Sequence, residues 1–317
     1  MLLLVFCLTA VPGLAASPDS RVFQFTYEIK EQDFPAGEAI DIYIPMPAQY
    51  AGQKILMQVL QSSVPGQSGI EKANGNTFYH LHRPSDSTVP LTATLSWTVE
   101  RDAVSATAEE LSDEALAQYL APDALVPVGH EILQPIQAEI HQMRDDDSPS
   151  ATARAIYDWV VDNVEYKKVG TGWGNGDTFW ACNERYGNCT DFHSLFIALA
   201  RSEGIPARFE MGFPVPQDRE EGEISGYHCW VQFYLSERGW VPIDASEAAK
   251  HPERREALYG GYPADRIHFS TGRDLVLSPA SAGAPLNYFI YPYAEVGGKP
   301  WPGKILTRFS FSEVTSS

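Results

Sequence analysis

The stretch Tyr186-Gly187-Asn188-Cys189-Thr190-Asp191-Phe192-His193 decides how this chain is read. Beyond Cys189, the residues Phe192, Leu195, Phe196 and Leu199 recur at the spacing of one helical face, which predicts an amphipathic helix. Gly187-Asn188 supplies a turn and an N-cap, so Cys189 falls in the first helical turn, and Gly204 and Pro206 end the helix. A thiol placed there faces unpaired backbone N–H groups and the positive end of the helix dipole. Both favour the thiolate, which is the reactive form. Taken alone, such a Cys reads equally well as a buried structural residue, so the companions downstream carry the argument.

Ala207, Phe209, Met211 and Phe213 alternate with Arg208, Glu210 and Gly212, the period of a strand. A polar loop from Gln217 to Gly226 follows. His228 to Tyr234 and Trp240 to Asp244 then read as two strands joined by the turn Ser236-Glu237-Arg238-Gly239. Antiparallel pairing brings the start of one strand beside the end of the other, so His228 and Asp244 become neighbours. Asp244 is then expected to hold the imidazole tautomer that turns the other ring nitrogen toward sulfur. A nucleophile, a base and an orienter, in that order, are what covalent acyl transfer needs. The plain alternative is a satisfied core His and a strand-ending Asp.

Successive strand side chains point to opposite faces. With His228 turned toward Cys189, Cys229 is expected to face away and pack in the core, either free or bonded to Cys182, since spacing does not fix connectivity.

These residues resemble the transglutaminase-like superfamily, whose core is similar to papain-type thiol enzymes. The resemblance rests on Gly187-Asn188-Cys189-Thr190-Asp191 before a helix, Ser202-Glu203-Gly204-Ile205-Pro206-Ala207-Arg208, His228-Cys229-Trp230, Gly239-Trp240 and Asp244-Ala245-Ser246, and covers residues 148 to 250. It implies a Cys nucleophile, a His general base and an Asp that orients the His, roles that fall on Cys189, His228 and Asp244. Relatives act as cross-linking transferases, peptidases and amidases, and some are domains without activity. The position after the His is often Ala in relatives and is Cys229 here; the Asp is often followed by Pro-Thr and is followed here by Ala245-Ser246. An acyl-transfer site also needs an oxyanion hole. The backbone N–H of Cys189 is the natural first donor, and the indole of Trp180, chosen over Trp173, Asn183 and Asn188, is a candidate second.

The chain has 317 residues, enough for two domains. Its 41 acidic residues outnumber 23 basic ones, giving a net charge of −18. That argues against nucleic acid, which needs a basic surface, and against adhesion to anionic lipid. Residues 1–16 read as the apolar core and small-residue cleavage site of a secretory signal lacking its basic start, so Met1 is expected to lie inside a longer leader. A secreted or periplasmic protein of bacterial type is therefore expected, without stable membrane insertion. After cleavage Cys182, Cys189 and Cys229 would remain in an oxidising compartment.

Residues 20–102 alternate over 22–29, 40–44 and 91–99 with turn residues between, which predicts an immunoglobulin-like β-sandwich. Residues 103–147 form an acidic helical linker, with helices predicted over 109–120 and 131–143. Ser148-Pro149 caps and opens another helix that runs to about Val164. The Gly- and Trp-rich stretch 165–187 reads as a loop beside the thiol. The expected fold class is α+β: a sandwich, then over 148–317 a transglutaminase-like core with an antiparallel sheet and the Cys189 helix. Further strands are expected at 274–277, 288–291 and 305–311.

Three functions compete. The first is a Cys-His-Asp acyl-transfer enzyme acting on amide bonds of a protein or peptide substrate, with no cofactor and no metal. The second is a non-catalytic binding or structural domain of the cell envelope with a blocked cleft. The third is a zinc site on Cys189, His193 and His228, one helical turn separating the first two. Asp145-Asp146-Asp147 reads as a solvated helix start, with calcium as its alternative.

Overall fold

The structure is a computed structural model that describes residues 19–30, 34–278 and 283–314. The expected leader at 1–16 lies outside the described residues. Helices combine with mostly antiparallel sheets. A four-stranded sheet runs in the order Gly239–Ile243, His228–Leu235, Ala207–Pro214, Arg266–Thr271, and every pairing in it is antiparallel. The helix Cys189–Ser202 packs against the His228–Leu235 strand, and its residues Cys189 through Arg201 are all buried. Helix Pro149–Asn163 lies against that helix, with Ile156, Trp159 and Val160 buried as their spacing predicts.

Two further sheets have five strands each. In one, Ser20–Lys30 pairs with Thr92–Asp102 on one side and with Leu306–Glu313 on the other. In the other, Ile40–Met46 pairs with Thr77–Arg83 and with Tyr293–Val296. Strands from both ends of the chain thus share both sheets. The alternation of Phe23, Phe25, Tyr27 and Ile29, all buried, is what anchors Ser20–Lys30 at the centre.

Some expected elements differ. Tyr288–Tyr291 forms no strand, and Tyr293–Val296 pairs instead. Leu275 makes only an isolated bridge with Leu286. The strand Arg266–Thr271 has no clean polar/apolar alternation because all six residues are buried. Within the stretch read as loop, Thr178–Glu184 is a helix capped by Asp177, whose carboxylate accepts from the Phe179 and Trp180 N–H groups.

Candidate active site

Asn188 caps the Cys189 helix. Its side chain accepts from Thr190 N at 2.9 Å, while Asp191 reaches back to the Asn188 N–H at 2.9 Å, which completes a capping box. Cys189 therefore opens the helix, and its own N–H has no intrahelical acceptor. Asp191 also accepts from Gly174 N at 2.7 Å and Gly176 N at 3.1 Å, so one buried carboxylate ties the glycine-rich loop to the helix start. Gly176 has φ +60°, and a side chain there would collide with Ser194, Arg273 and Thr190. The loop thus sits beside the thiol, as its position in the sequence suggested.

The hairpin pairs Val231 with Ile243 and Leu235 with Gly239. Pairing on this side ends at Val231, three residues short of His228, while on its other side His228 pairs with Gly212. His228 Nε2 meets Asp244 Oδ2 at 2.7 Å. That contact leaves Nδ1 for Cys189, whose thiol and the His228 ring each stabilise the other's charged form. Asp244 has no exposed surface. Its Oδ2 also takes Arg266 Nη1 at 3.0 Å, and its Oδ1 accepts from Ser246 Oγ at 3.2 Å and Glu247 N at 3.0 Å. Arg266 is itself buried between the rings of Trp230 and Tyr262.

Burial alone would disfavour every charge here, and the partners reverse it. Burial opposes ionisation of Cys189, yet hydrogen bonds from Cys229 and His228, with the charge of His228, hold its thiol well below the ordinary range. Burial likewise opposes the charged form of His228, but Asp244 and then Cys189 push it up to about 10. Asp244 sits well below the usual carboxylate range: burial is outweighed by His228 and Arg266. The three groups therefore favour thiolate, imidazolium and carboxylate together.

Cys229 overturns its expectation. It does not face away from the helix that Cys189 opens: its thiol lies 3.8 Å from Thr190 Oγ1 and 3.5 Å from His193 Nδ1. His228 and Cys229 do leave the strand on opposite sides. The helix, however, packs on the Cys229 side, as the contact of Phe233 with Phe196 shows. Cys182, Cys189 and Cys229 are all free, so the Cys182–Cys229 disulfide is not formed. Burial pushes Cys182 up to about 11.

Trp180 takes another place. Its indole N–H donates to the Tyr186 carbonyl at 3.3 Å, and it does not line the cleft over Cys189. That cleft has a volume of about 390 Å³ and is walled by Trp173, Tyr227, Tyr288 and Tyr291. Tyr227 bonds Asn188 Nδ2 at 3.0 Å and Thr190 Oγ1 at 2.9 Å, so it braces the helix cap. His193 lies behind the site with Nε2 3.6 Å from Asp244 Oδ1, and burial lowers it to about 4, which keeps it neutral.

Sequence reasoning missed Arg266, Tyr227 and the bracing role of Asp191. Only Tyr227 carried a local signal, as the residue immediately before His228. Among the described residues no helix is long and apolar enough to cross a membrane.

Residues 136–245 match the model of the Transglutaminase-like superfamily. An uncharacterised protein of Haemophilus influenzae is 35% identical over 185 residues, which is 48% of this chain and 50% of that protein. The uncharacterised protein YebA of Bacillus subtilis is 32% identical over 77 residues, 22% of this chain and 10% of its own. The chain thus spans half or less of the length of these curated relatives. A solved candidate cysteine protease from Cytophaga hutchinsonii superposes with TM-score 0.60 at 18% identity, covering 95% of this chain and 93% of that one. That likeness extends over nearly the whole chain and shows a shared fold. The helix and hairpin, and most of the cleft described above, lie inside the segment that matches the transglutaminase-like superfamily.

Proposed function

We propose that the protein is a cysteine-dependent acyl-transfer enzyme acting on amide bonds of proteins or peptides. Cys189 is the nucleophile, His228 the general acid and base, and Asp244 the residue that orients His228. The thiolate attacks the amide carbonyl. The oxyanion that forms meets the Cys189 N–H at the helix start. The imidazolium gives its proton to the leaving amine as the C–N bond breaks, which leaves a thioester. Water or a second amine then attacks the thioester carbonyl and loses its proton to His228; the C–S bond breaks, the acyl product leaves, and the Cys189 thiolate and His228 imidazolium are restored.

The observation that carries this reading is the buried Asp244–His228 bond at 2.7 Å, which leaves the other ring nitrogen for the Cys189 thiol whose ionisation His228 favours. Asp191 and Tyr227 hold the capped helix start in place around it. We read residues 20–102, with the strands that return to them, as an immunoglobulin-like scaffold without chemistry of its own. The apolar leader supports a periplasmic or secreted location, which fractionation of cells expressing the full chain checks.

The test is incubation of wild-type and Cys189→Ala protein with envelope peptides, read by mass spectrometry. Products gained by water or by amine transfer, present only with wild type, are expected. Identical product sets from both proteins would sink the proposal. In parallel, iodoacetamide at neutral pH should label Cys189 and leave Cys182 and Cys229 unmodified.

A further inference from the structure

The cleft over Cys189 does not end at its aromatic walls. Ser225 and Tyr291 line it and also line a larger cavity of about 540 Å³ beside it. The two cavities adjoin at these residues, far more room than one amide needs.

Their charge is opposite to that of the molecule. The chain carries −18 overall, but besides the Cys189 thiol itself the cleft has a single charged lining residue, Lys168, and the adjoining cavity has Lys304, Arg308 and Glu223. Three cations therefore face one carboxylate. Arg308 is already engaged by Glu223 at 2.6 Å and by Glu28 at 3.8 Å, which leaves Lys168 and Lys304 as the unpaired cations. Lys168 and Lys304 are exposed and form no ion pair among the described residues; Lys168 touches only the ring of Tyr166. A local positive field on an acidic protein draws anions to that place and repels them elsewhere. Aromatic walls beside it suit the flat faces of peptide groups.

We infer that these adjoining cavities form one substrate groove, and that it selects an extended peptide with carboxylate side chains flanking the bond at Cys189. Lys168 lies on the thiol side of Tyr291 and Lys304 on the far side, so carboxylates at two separate positions are preferred. This rests on the acyl-transfer reading for its orientation, but binding can be measured apart from chemistry.

The experiment uses the full chain carrying Cys189→Ala, so that no turnover intervenes. Fluorescence anisotropy reports binding of N-acetylated, C-amidated octapeptides with Glu, Gln or Lys scanned through each position. At two positions Glu should bind about fivefold tighter than Gln, the size expected of solvent-screened pairs, and Lys weaker than both. Adding Lys168→Glu and Lys304→Glu should invert that order while the Gln peptides bind as before. The single changes Lys168→Gln and Lys304→Gln should each erase the preference at one position only, which serves if the double variant misfolds. Equal binding of Glu and Gln peptides, a preference that survives charge reversal, or no peptide binding would overturn the inference. Lack of labelling at Cys189 in the wild type, with the Glu preference intact, would instead overturn the catalytic reading and leave the groove standing.

Discussion

The four-stranded sheet holds two buried histidine–carboxylate pairs, and only one of them has a thiol. At one end, Asp244 meets His228 at 2.7 Å and is backed by Arg266. Further along, Glu210 meets His268 at 2.6 Å and is backed by Arg208 at 2.9 Å, with Tyr50 and Thr271 completing its hydrogen bonds. Both carboxylates have no exposed surface. The difference lies in what faces the imidazole. His228 lies beside the capped helix start at Cys189, which lines a cleft. His268 lies flat under Tyr50, with ring centroids 3.9 Å apart at 11°. A His–carboxylate–Arg set is therefore a common way to satisfy buried charge. It becomes a candidate for chemistry where a helix terminus brings sulfur and a cleft brings space.

Exchanging each carboxylate for its amide separates the two pairs most sharply. Asp244→Asn should lower turnover on the order of 10³-fold by releasing the His228 tautomer, with a smaller loss of stability. Glu210→Gln should do the reverse. It leaves Arg208 buried without its counter-charge, which should cost about 3 kcal/mol in urea unfolding, while iodoacetamide labelling of Cys189 per folded molecule stays the same. Equal loss of labelling in both variants would erase the distinction.

The pH response sharpens it further. Labelling of Cys189 should already be rapid near pH 6, where an ordinary thiol is almost fully protonated, while Cys182, raised to about 11, stays silent. For stability, the sign follows from each group. His228 is raised from 6.5 to about 10, so its contribution is complete below 6.5 and is lost as pH climbs through 10. Asp244 is depressed below 3.8, so its contribution is present above 3.8 and is lost as pH falls further. Unfolding free energy of wild type minus Asp244→Asn should therefore shrink at both extremes. A labelling curve rising only near pH 8.5 would break the thiolate assignment.

The smallest expected effect belongs to the brace. Tyr227→Phe removes the hydroxyl that meets Asn188 and Thr190, so thermal unfolding should report a loss of about 1 kcal/mol and labelling should slow only several-fold. No change in either would show that the capping box alone fixes Cys189.

Much of the site was legible in the chain because its parts are local. The N-cap, the helix period behind Cys189 and the two strand patterns each need fewer than fifteen residues to state. One hairpin then places His228 by Asp244. Cys229 shows where that logic stops. Alternation correctly puts it opposite His228, but which side of the strand the helix covers is a packing outcome, and it set Cys229 against the helix that Cys189 opens.

By itself the sequence determined the order Cys189, His228, Asp244, the hairpin that joins the last two, and the helix that begins at Cys189, since capping, period and turn chemistry act between near neighbours. Tertiary structure alone decided that Arg266 backs Asp244, that strands from both ends of the chain share two sheets, and that a groove with three cations opens in an acidic molecule. Those contacts join residues tens to hundreds of positions apart, and no local periodicity encodes which distant surfaces meet when the core closes.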